Sequence, residues 1–294
     1  MKEGYNLLDI YHVGVVLLGL SIGLLSGLLG VGGGFLVTPL LNVIFGVPYN
    51  IAVGSGLTQM VGTSLSGVVA HRKLGHVDAK LGITLIAGSL SGSVIGTSLI
   101  NRWRDGGQVD FNMSILYMAM LLFIGVSMAR DVFRSQTQSS PKTAGLPWLS
   151  RFESIRIPPM LAFDSLGGRR LSLWFVLAVG MVLGVLSGLM GVGGGFVALP
   201  FMMCGLGMST ITAVGTSLFL VLFASLFASV THVVSGNVDW LLVVLMLSGS
   251  VIGAQAGVRL AGLVNDRFLR RFFVGLVFFA FLLVLGKIMG MAFS

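Results

Sequence analysis

The sequence predicts an all-α polytopic membrane protein of about ten transmembrane segments, arranged as two inverted five-helix repeats with glycine-broken helices. Three observations carry this expectation. Hydrophobic residues make up 55% of the 294-residue chain and charged residues 10%, against about 25% charged in an ordinary soluble domain. Residues 10–71 and 171–238 contain no Asp, Glu, Lys or Arg. The stretch SGLLGVGGGFLVTP at 26–39 returns as SGLMGVGGGFVALP at 187–200, with ten of fourteen positions identical.

Each long uncharged block holds about three crossings, because a bilayer core of about 30 Å takes about 20 helical residues at about 1.5 Å of rise each. The shorter uncharged runs at 81–101, 111–129, 240–258 and 272–286 add one crossing apiece. Backbone groups in lipid need internal partners, so these segments are expected as helices; a barrel would show alternating strands of about ten residues. The N-terminal stretch has a long apolar run and acids at Glu3 and Asp9. It lacks a clear small-residue cleavage site and reads as a retained first helix. The single cysteine, Cys204, excludes an internal disulfide and a Cys-cluster metal site. No metal or cofactor is expected.

The formal net charge is +8, but the bases sit between apolar runs, which is positive-inside topology in a lipid bilayer and gives no reason to expect nucleic acid. The connection from Arg130 to Arg170 carries seven Lys/Arg against three acids and is expected in the cytoplasm. Counting back by crossings places Arg72, Lys73 and Lys80 inside as well. In the second half the loop after His232 has no Lys or Arg, whereas the next has Arg259, Arg267, Arg270 and Arg271. Inverted halves put that basic loop inside; parallel halves would put four arginines outside. The expected organisation is a first transmembrane repeat at 10–130, a cytoplasmic linker at 131–171 and a second repeat at 172–290, multi-pass in the cell inner (plasma) membrane. The linker has Ser, Pro and Gly punctuation and no sustained helical period, so it reads as a tether.

The repeat extends beyond the glycines. AVGSGLT at 52 aligns with AVGTSLF at 213, and HRKLGHVD at 71 with HVVSGNVD at 232. Gly32, Gly33 and Gly34, with Gly193, Gly194 and Gly195, interrupt helix geometry and leave backbone N–H groups uncovered. The helix that restarts at Phe35 or Phe196 then offers an N-terminus with free donors and partial positive charge, an anion site without a buried lysine. Close helix packing through small residues is the alternative use of such glycines. A nucleotide-binding loop is disfavoured, since neither copy has the Lys-Ser/Thr that contacts phosphate and magnesium.

Ser55, Thr58 and Gln59 share one face of the third crossing at i, i+3 and i+4, and the counterpart in the second half offers Thr216 and Ser217. These five are the candidate ligand hydrogen-bonders, with Gln59 foremost because its amide can donate to an oxyanion. His71 and His232 occupy matching positions near the ends of the uncharged blocks. They are candidates for proton coupling, against the alternative of interfacial histidines at helix ends. Asp78 and Asp239 read as N-caps of the following helices.

Two GxxGxGGG segments, each followed by Pro, and two H…G.VD segments in a duplicated ten-helix chain resemble the TauE/SafE sulfite exporter family. The resemblance implies export of a small anionic substrate, sulfite or an organosulfonate, from the cytoplasm, with alternating access about a midplane site. A proton gradient or the membrane potential could drive it. Assembly is left open, a homodimer included. A permease for another small solute is the nearest rival; a metal-cation carrier would be expected to show acids within its spans. A membrane-embedded enzyme would need a nucleophile–base pair or metal ligands at helical spacing, and the sequence shows neither.

Overall fold

A computed structural model describes residues 2–104, 109–134, 157–190 and 194–293. Among them lie helices α1 (Lys2–Leu29), α2 (Gly34–Ile44), α3 (Tyr49–Lys73), α4 (Ala79–Arg104) and α5 (Val109–Arg134), then strands β1 (Met160–Ala162) and β2 (Arg170–Ser172). They are followed by α6 (Leu173–Met190), α7 (Gly195–Pro200), a π-helical turn (Phe201–Gly205), α8 (Thr210–Val234), α9 (Trp240–Leu263) and α10 (Asp266–Phe293). Among the described residues five helices carry stretches long and apolar enough to cross a membrane, at Tyr11–Leu29, Ala79–Gly96, Thr210–Val234, Trp240–Leu263 and Asp266–Gly286. Shorter apolar helical stretches occur at Met118–Arg130, Leu173–Ser187 and Gly195–Gly205. The protein is an all-α membrane protein.

The H…G.VD segments are helix ends and starts. After α3 and α8 the chain turns at Gly75 (φ 72°) and Gly236 (φ 70°), and the amides of His76 and Asn237 close back onto the carbonyls of His71 and His232 at 3.0 and 2.9 Å. Glycine is needed there because an L side chain resists the left-handed conformation. Asp78 and Asp239 then cap α4 and α9, accepting from Leu81 N at 2.9 Å and Leu242 N at 3.1 Å, as the sequence suggests.

The chain forms two compact units, each drawing on both halves of the sequence. The first comprises Met1–Val77, Gly191–Phe196 and Val214–Leu263. In it α1 and α9 run side by side in the same direction, backbone against backbone. A Cβ added at Gly19, Gly23 or Gly27 would overlap the carbonyl of Met246, Ser250 or Ala254, and one at Gly249, Gly253 or Gly257 that of Val16, Leu20 or Leu24. This is small-residue packing, the means by which helices associate where lipid removes the hydrophobic drive. Val15, Ile22, Val37, Leu41, Ala52, Leu242 and Met246 form its apolar core between α1, α2, α3 and α9.

Within the same unit α3 and α8 run antiparallel. Gly54, early in α3, faces Asn237 beyond the end of α8, and Gly215, early in α8, faces His76 beyond the end of α3.

The second unit comprises Asp78–Met190, Val197–Ala213 and Val264–Ser294. Here α4 and α6 make the same kind of contact: Gly88 and Gly92 lie against the carbonyls of Leu177 and Met181, and Gly180 and Gly184 against those of Leu85 and Ser89. A Cβ added at Gly125 of α5 would meet Val277 and Phe278 of α10 at an ordinary contact of 3.4 to 3.5 Å. Residues 135–156 of the linker lie outside the described residues. Its first residues continue α5 to Arg134, and its last part forms an antiparallel hairpin, Met160 opposite Ser172 and Ala162 opposite Arg170. This hairpin docks on the start of α4: Ser165 Oγ donates to Asp78 Oδ2, Lys80 Nζ donates to Ala162 O at 2.8 Å, and Phe163 is fully buried.

Candidate functional site

All the site residues expected from the sequence fall in the first unit. Gly193 lies outside the described residues. At the first break Gly30, Gly32 and Gly33 have φ of 71°, 72° and 75°, left-handed values that would cost another L residue roughly 1–2 kcal/mol each. Gly33 serves as N-cap of α2 without a side-chain cap bond, its carbonyl accepting from Leu36 N and Val37 N at 3.0 and 3.1 Å. Gly34 is the first residue of α2. At the second break Gly194 has φ 73° and Gly195 opens α7.

The two breaks meet. A Cβ on Gly195 would lie 3.2 Å from the carbonyl oxygens of both Gly30 and Val31, and would overlap Val221 Cγ2. One on Gly32 would overlap Val221 Cγ1 and lie 3.0 Å from Met60 Cε. Met60 and Val221 are repeat-equivalent and stand at the middle of α3 and α8, each 25 residues long. Gly32 and Gly195 therefore sit at the level where α3 and α8 are half-way along, whereas Gly30 lies against Val214 and Ser217 in the early turns of α8.

Residues 10–71 and 171–238 carry no Asp, Glu, Lys or Arg, so the segments that form both breaks bring no charged side chain of their own to the partial positive charge of the α2 N-terminus. That end offers uncapped N–H donors. Helix α7 is six residues long, and the second break contributes close approach rather than a comparable dipole.

The polar side chains divide into engaged and unengaged groups. Ser55, buried, accepts from Asp239 N at 2.9 Å and thereby ties α3 to the start of α9. Thr58 donates to its own helix at Gly54 O, 2.8 Å away. Ser217 lies 2.7 Å from Gly30 O and 2.9 Å from Val214 O, so its hydroxyl holds the first break against α8. Thr216 is buried on α8 at the position equivalent to Ser55.

Gln59 is fully buried, and its amide nitrogen, expected to meet a ligand, donates instead to Thr63 Oγ1, which stands 2.7 Å from Ser250 Oγ of α9. Its Oε1 has no hydrogen-bond partner, and neither do the fully buried hydroxyls of Ser26 and Ser64. An unsatisfied buried polar atom costs about 1–3 kcal/mol, so each marks a place where stability yields to something else.

The structure adds Thr63, Ser250, Ser26 and Ser64 to the fully buried polar side chains of this unit. Ser26 belongs to the repeated motif, which was the available signal. Ser64 has the repeat-equivalent Ser225, and Ser250 lies in the hexapeptide SGSVIG that stands at both 91 and 248, but a serine in an apolar helix usually bonds its own backbone.

His71 is buried near the end of α3, with Nε2 3.1 Å from Gly27 O and Nδ1 3.4 Å from Nδ1 of His76. The carbonyl requires a proton on Nε2, which leaves Nδ1 as acceptor toward His76. His232 is half-buried near the end of α8, its Cβ packed by Gly54. A cavity of about 390 Å³ opens elsewhere in this unit, lined by Tyr11, Phe45, Pro48, Ile51, Asp239 and Leu242 among others. None of the expected site residues lines it. Among the described residues no group of three or more His, Cys, Asp or Glu could hold a metal ion.

Comparison with known proteins points in one direction. The chain is 28% identical over 254 residues to the probable membrane transporter protein YunE of Bacillus subtilis (strain 168), covering 83% of this chain and 86% of that one. It is 24% identical over 253 residues to the probable membrane transporter protein YdhB of the same organism, covering 85% and 90%. A probable membrane transporter protein of Xylella fastidiosa (strain 9a5c) is 26% identical over 241 residues, covering 82% and 81%. No solved structure gives a significant match. The family model for the sulfite exporter TauE/SafE matches residues 15–284, nearly the whole chain. The chain belongs to the sulfite exporter TauE/SafE family.

Proposed function

We propose that this protein exports small sulfur-containing anions, sulfite or organosulfonates, across the cell inner membrane by alternating access. The observation that carries the reading is the meeting of the two glycine breaks at the mid-level of α3 and α8, beside the uncapped N-terminus of α2. Broken helices that meet between repeats, with N–H donors and without fixed charge, suit weak binding and ready release of an anion.

The proposed architecture is ten spans in two inverted repeats, 10–130 and 172–290, joined by a cytoplasmic linker at 131–171. Two features support it. The repeat-equivalent helices α3 and α8 run antiparallel in the first unit, and each unit pairs the first helix of one half with the fourth of the other. Gly32, Gly33, Gly34, Gly194 and Gly195 act as the hinge and close-approach points about which the halves rock. A proton gradient, with His71 and His232 as carriers, or the membrane potential drives export. The activity proposed is transport without covalent chemistry.

The test is radiolabelled sulfite flux in proteoliposomes with and without an imposed pH gradient. Saturable flux above empty liposomes, lost in folded Gly194→Leu protein, is the expected result. Flux equal to that of empty liposomes under every gradient would reject sulfite as substrate.

A further inference from the structure

The cavity lined by Tyr11, Phe45, Ile51, Asp239 and Leu242 has a filled counterpart elsewhere in the chain, and from that pairing we infer that it binds a small primary ammonium ion carried on an apolar body. The cavity lies wholly in the first unit, at the starts of α1, α3 and α9 and the end of α2. Its volume, about 390 Å³, falls within the roughly 300–1,000 Å³ of small-molecule sites. It is separate from the glycine breaks, so it stands whether or not the chain exports sulfite.

The offset that relates 26–39 to 187–200 sets Asp239 against Asp78, Leu242 against Leu81, Phe45 against Leu206 and Tyr11 against Ser172. The backbone repeats as well. Gly46 and Gly207 both take left-handed φ, 64° and 68°, and Val47 N and Met208 N close onto Leu41 O and Met202 O at 3.1 and 3.0 Å. In both copies Oδ1 of the aspartate caps the next helix. The copies differ in their cover. At Asp78 the β1–β2 hairpin provides it: Ser165 donates to Oδ2 from its backbone N at 3.3 Å and from Oγ, and Leu206 and Ser172 are buried. At Asp239 no hydrogen bond reaches Oδ2 among the described residues. Phe45 is there half-buried and Tyr11 36% exposed. One copy is closed by a segment of the chain itself, and the other stands open.

What the hairpin brings to Asp78 defines what suits the open copy. It brings hydrogen-bond donors for one carboxylate oxygen and an aromatic side chain, Phe163, fully buried with Lys80 Nζ 5.8 Å from its ring centre. The open copy has Leu241 where Lys80 stands, so the chain supplies no cation at that position and the ligand brings its own. A primary ammonium group does both tasks, donating to Asp239 Oδ2 and neutralising it, and such a charge-assisted bond is about twice as strong as a neutral one. Tyr11 and Phe45 meet edge to face with ring centres 5.5 Å apart, a wall that attracts a cation or a further ring. Ile51 and Leu242 give the apolar body its seat. An anion would face the carboxylate, so sulfite is not the ligand of this site.

Isothermal titration of the full chain with phenethylamine tests this, in nanodiscs of phosphatidylcholine, whose headgroup has no N–H donor. Saturable binding is the expected result. The trimethylammonium analogue keeps the charge but cannot donate, and 2-phenylethanol donates without charge; each should bind at least about tenfold more weakly. Asp239→Asn keeps a good cap for α9 and should weaken phenethylamine binding about tenfold to a hundredfold, whereas Asp78→Asn should leave it unchanged. Sulfite should not compete. The analogue series uses the unaltered chain, so it decides the matter even if the variant at 239 folds poorly. No binding, equal binding of the trimethylammonium analogue, or binding indifferent to Asp239→Asn would overturn the inference. Loss of phenethylamine binding in phosphatidylethanolamine nanodiscs would overturn it too, because the lipid headgroup would then be the occupant. None of these readouts depends on sulfite flux, so failure here and failure of the export reading are told apart.

Discussion

Replacing Gly195 by alanine adds one methyl group where the two glycine breaks touch. Gly195 is not among the glycines with positive φ, so its backbone accepts alanine and the cost is spatial. The new Cβ would overlap Val221 Cγ2 and sit 3.2 Å from the carbonyls of Gly30 and Val31. Overpacking of this kind costs about 1–3 kcal/mol. Val221→Ala alone removes two buried methyl groups, about 1.6 kcal/mol of transfer free energy plus a cavity contribution. Combined, the alanine at 195 fills part of the space vacated at 221, and the double variant should be about 1–3 kcal/mol more stable than the sum of the single losses. Gly32→Ala makes a contrast. It meets Val221 Cγ1 as well, but its φ of 72° adds roughly 1–2 kcal/mol that no change at 221 relieves. Unfolding titrations in mixed micelles on the four-member cycle give these numbers. Additivity of Gly195→Ala and Val221→Ala within about 0.5 kcal/mol would refute the contact, and with it the meeting of the breaks.

Three further outcomes follow from particular contacts. Ser55→Ala should cost about 1–3 kcal/mol in the same unfolding assay because it orphans the Asp239 amide, whereas Thr58→Val should cost less than about 1, its hydroxyl serving only its own helix. Phe163→Ala empties the buried seat of the linker hairpin at about 3–5 kcal/mol locally; limited proteolysis should then cut between residues 157 and 172 sooner, with the helical circular dichroism unchanged. His76 lies in the loop after α3, where burial lowers its pKa from 6.5. The unfolded chain therefore binds the proton more readily, so stability contributed by the neutral ring is present above about 6.5 and is lost as pH falls through the folded value. His76→Gln should flatten that part of the stability profile measured by thermal unfolding.

What the sequence discloses is what local physics fixes. Gly33 and Gly194 are legible because few residues besides glycine tolerate their backbone, and Asp78 and Asp239 because a cap follows from its place before an apolar run. The membrane class follows from uncharged length. Identity of partner is another matter. That Val221 supports both breaks, or that Ser55 serves Asp239, depends on which helix faces meet, and each face is apolar enough to meet several others. Gln59 stands out in the sequence as a buried amide, but that it bonds Thr63 one turn on and through it reaches Ser250 of α9 depends on how the helices pack. The β1–β2 hairpin escaped notice because three-residue strands are too short to show an alternation.

The most direct test of the central claim, that an anion binds where the breaks meet, is hydrogen–deuterium exchange of the full chain in detergent with saturating sulfite and, separately, chloride. Sulfite should slow exchange in peptides covering residues 30–37 and 59–64, with chloride leaving them unchanged. Protection confined to other helices, or none at any sulfite concentration, would contradict the placement of the site.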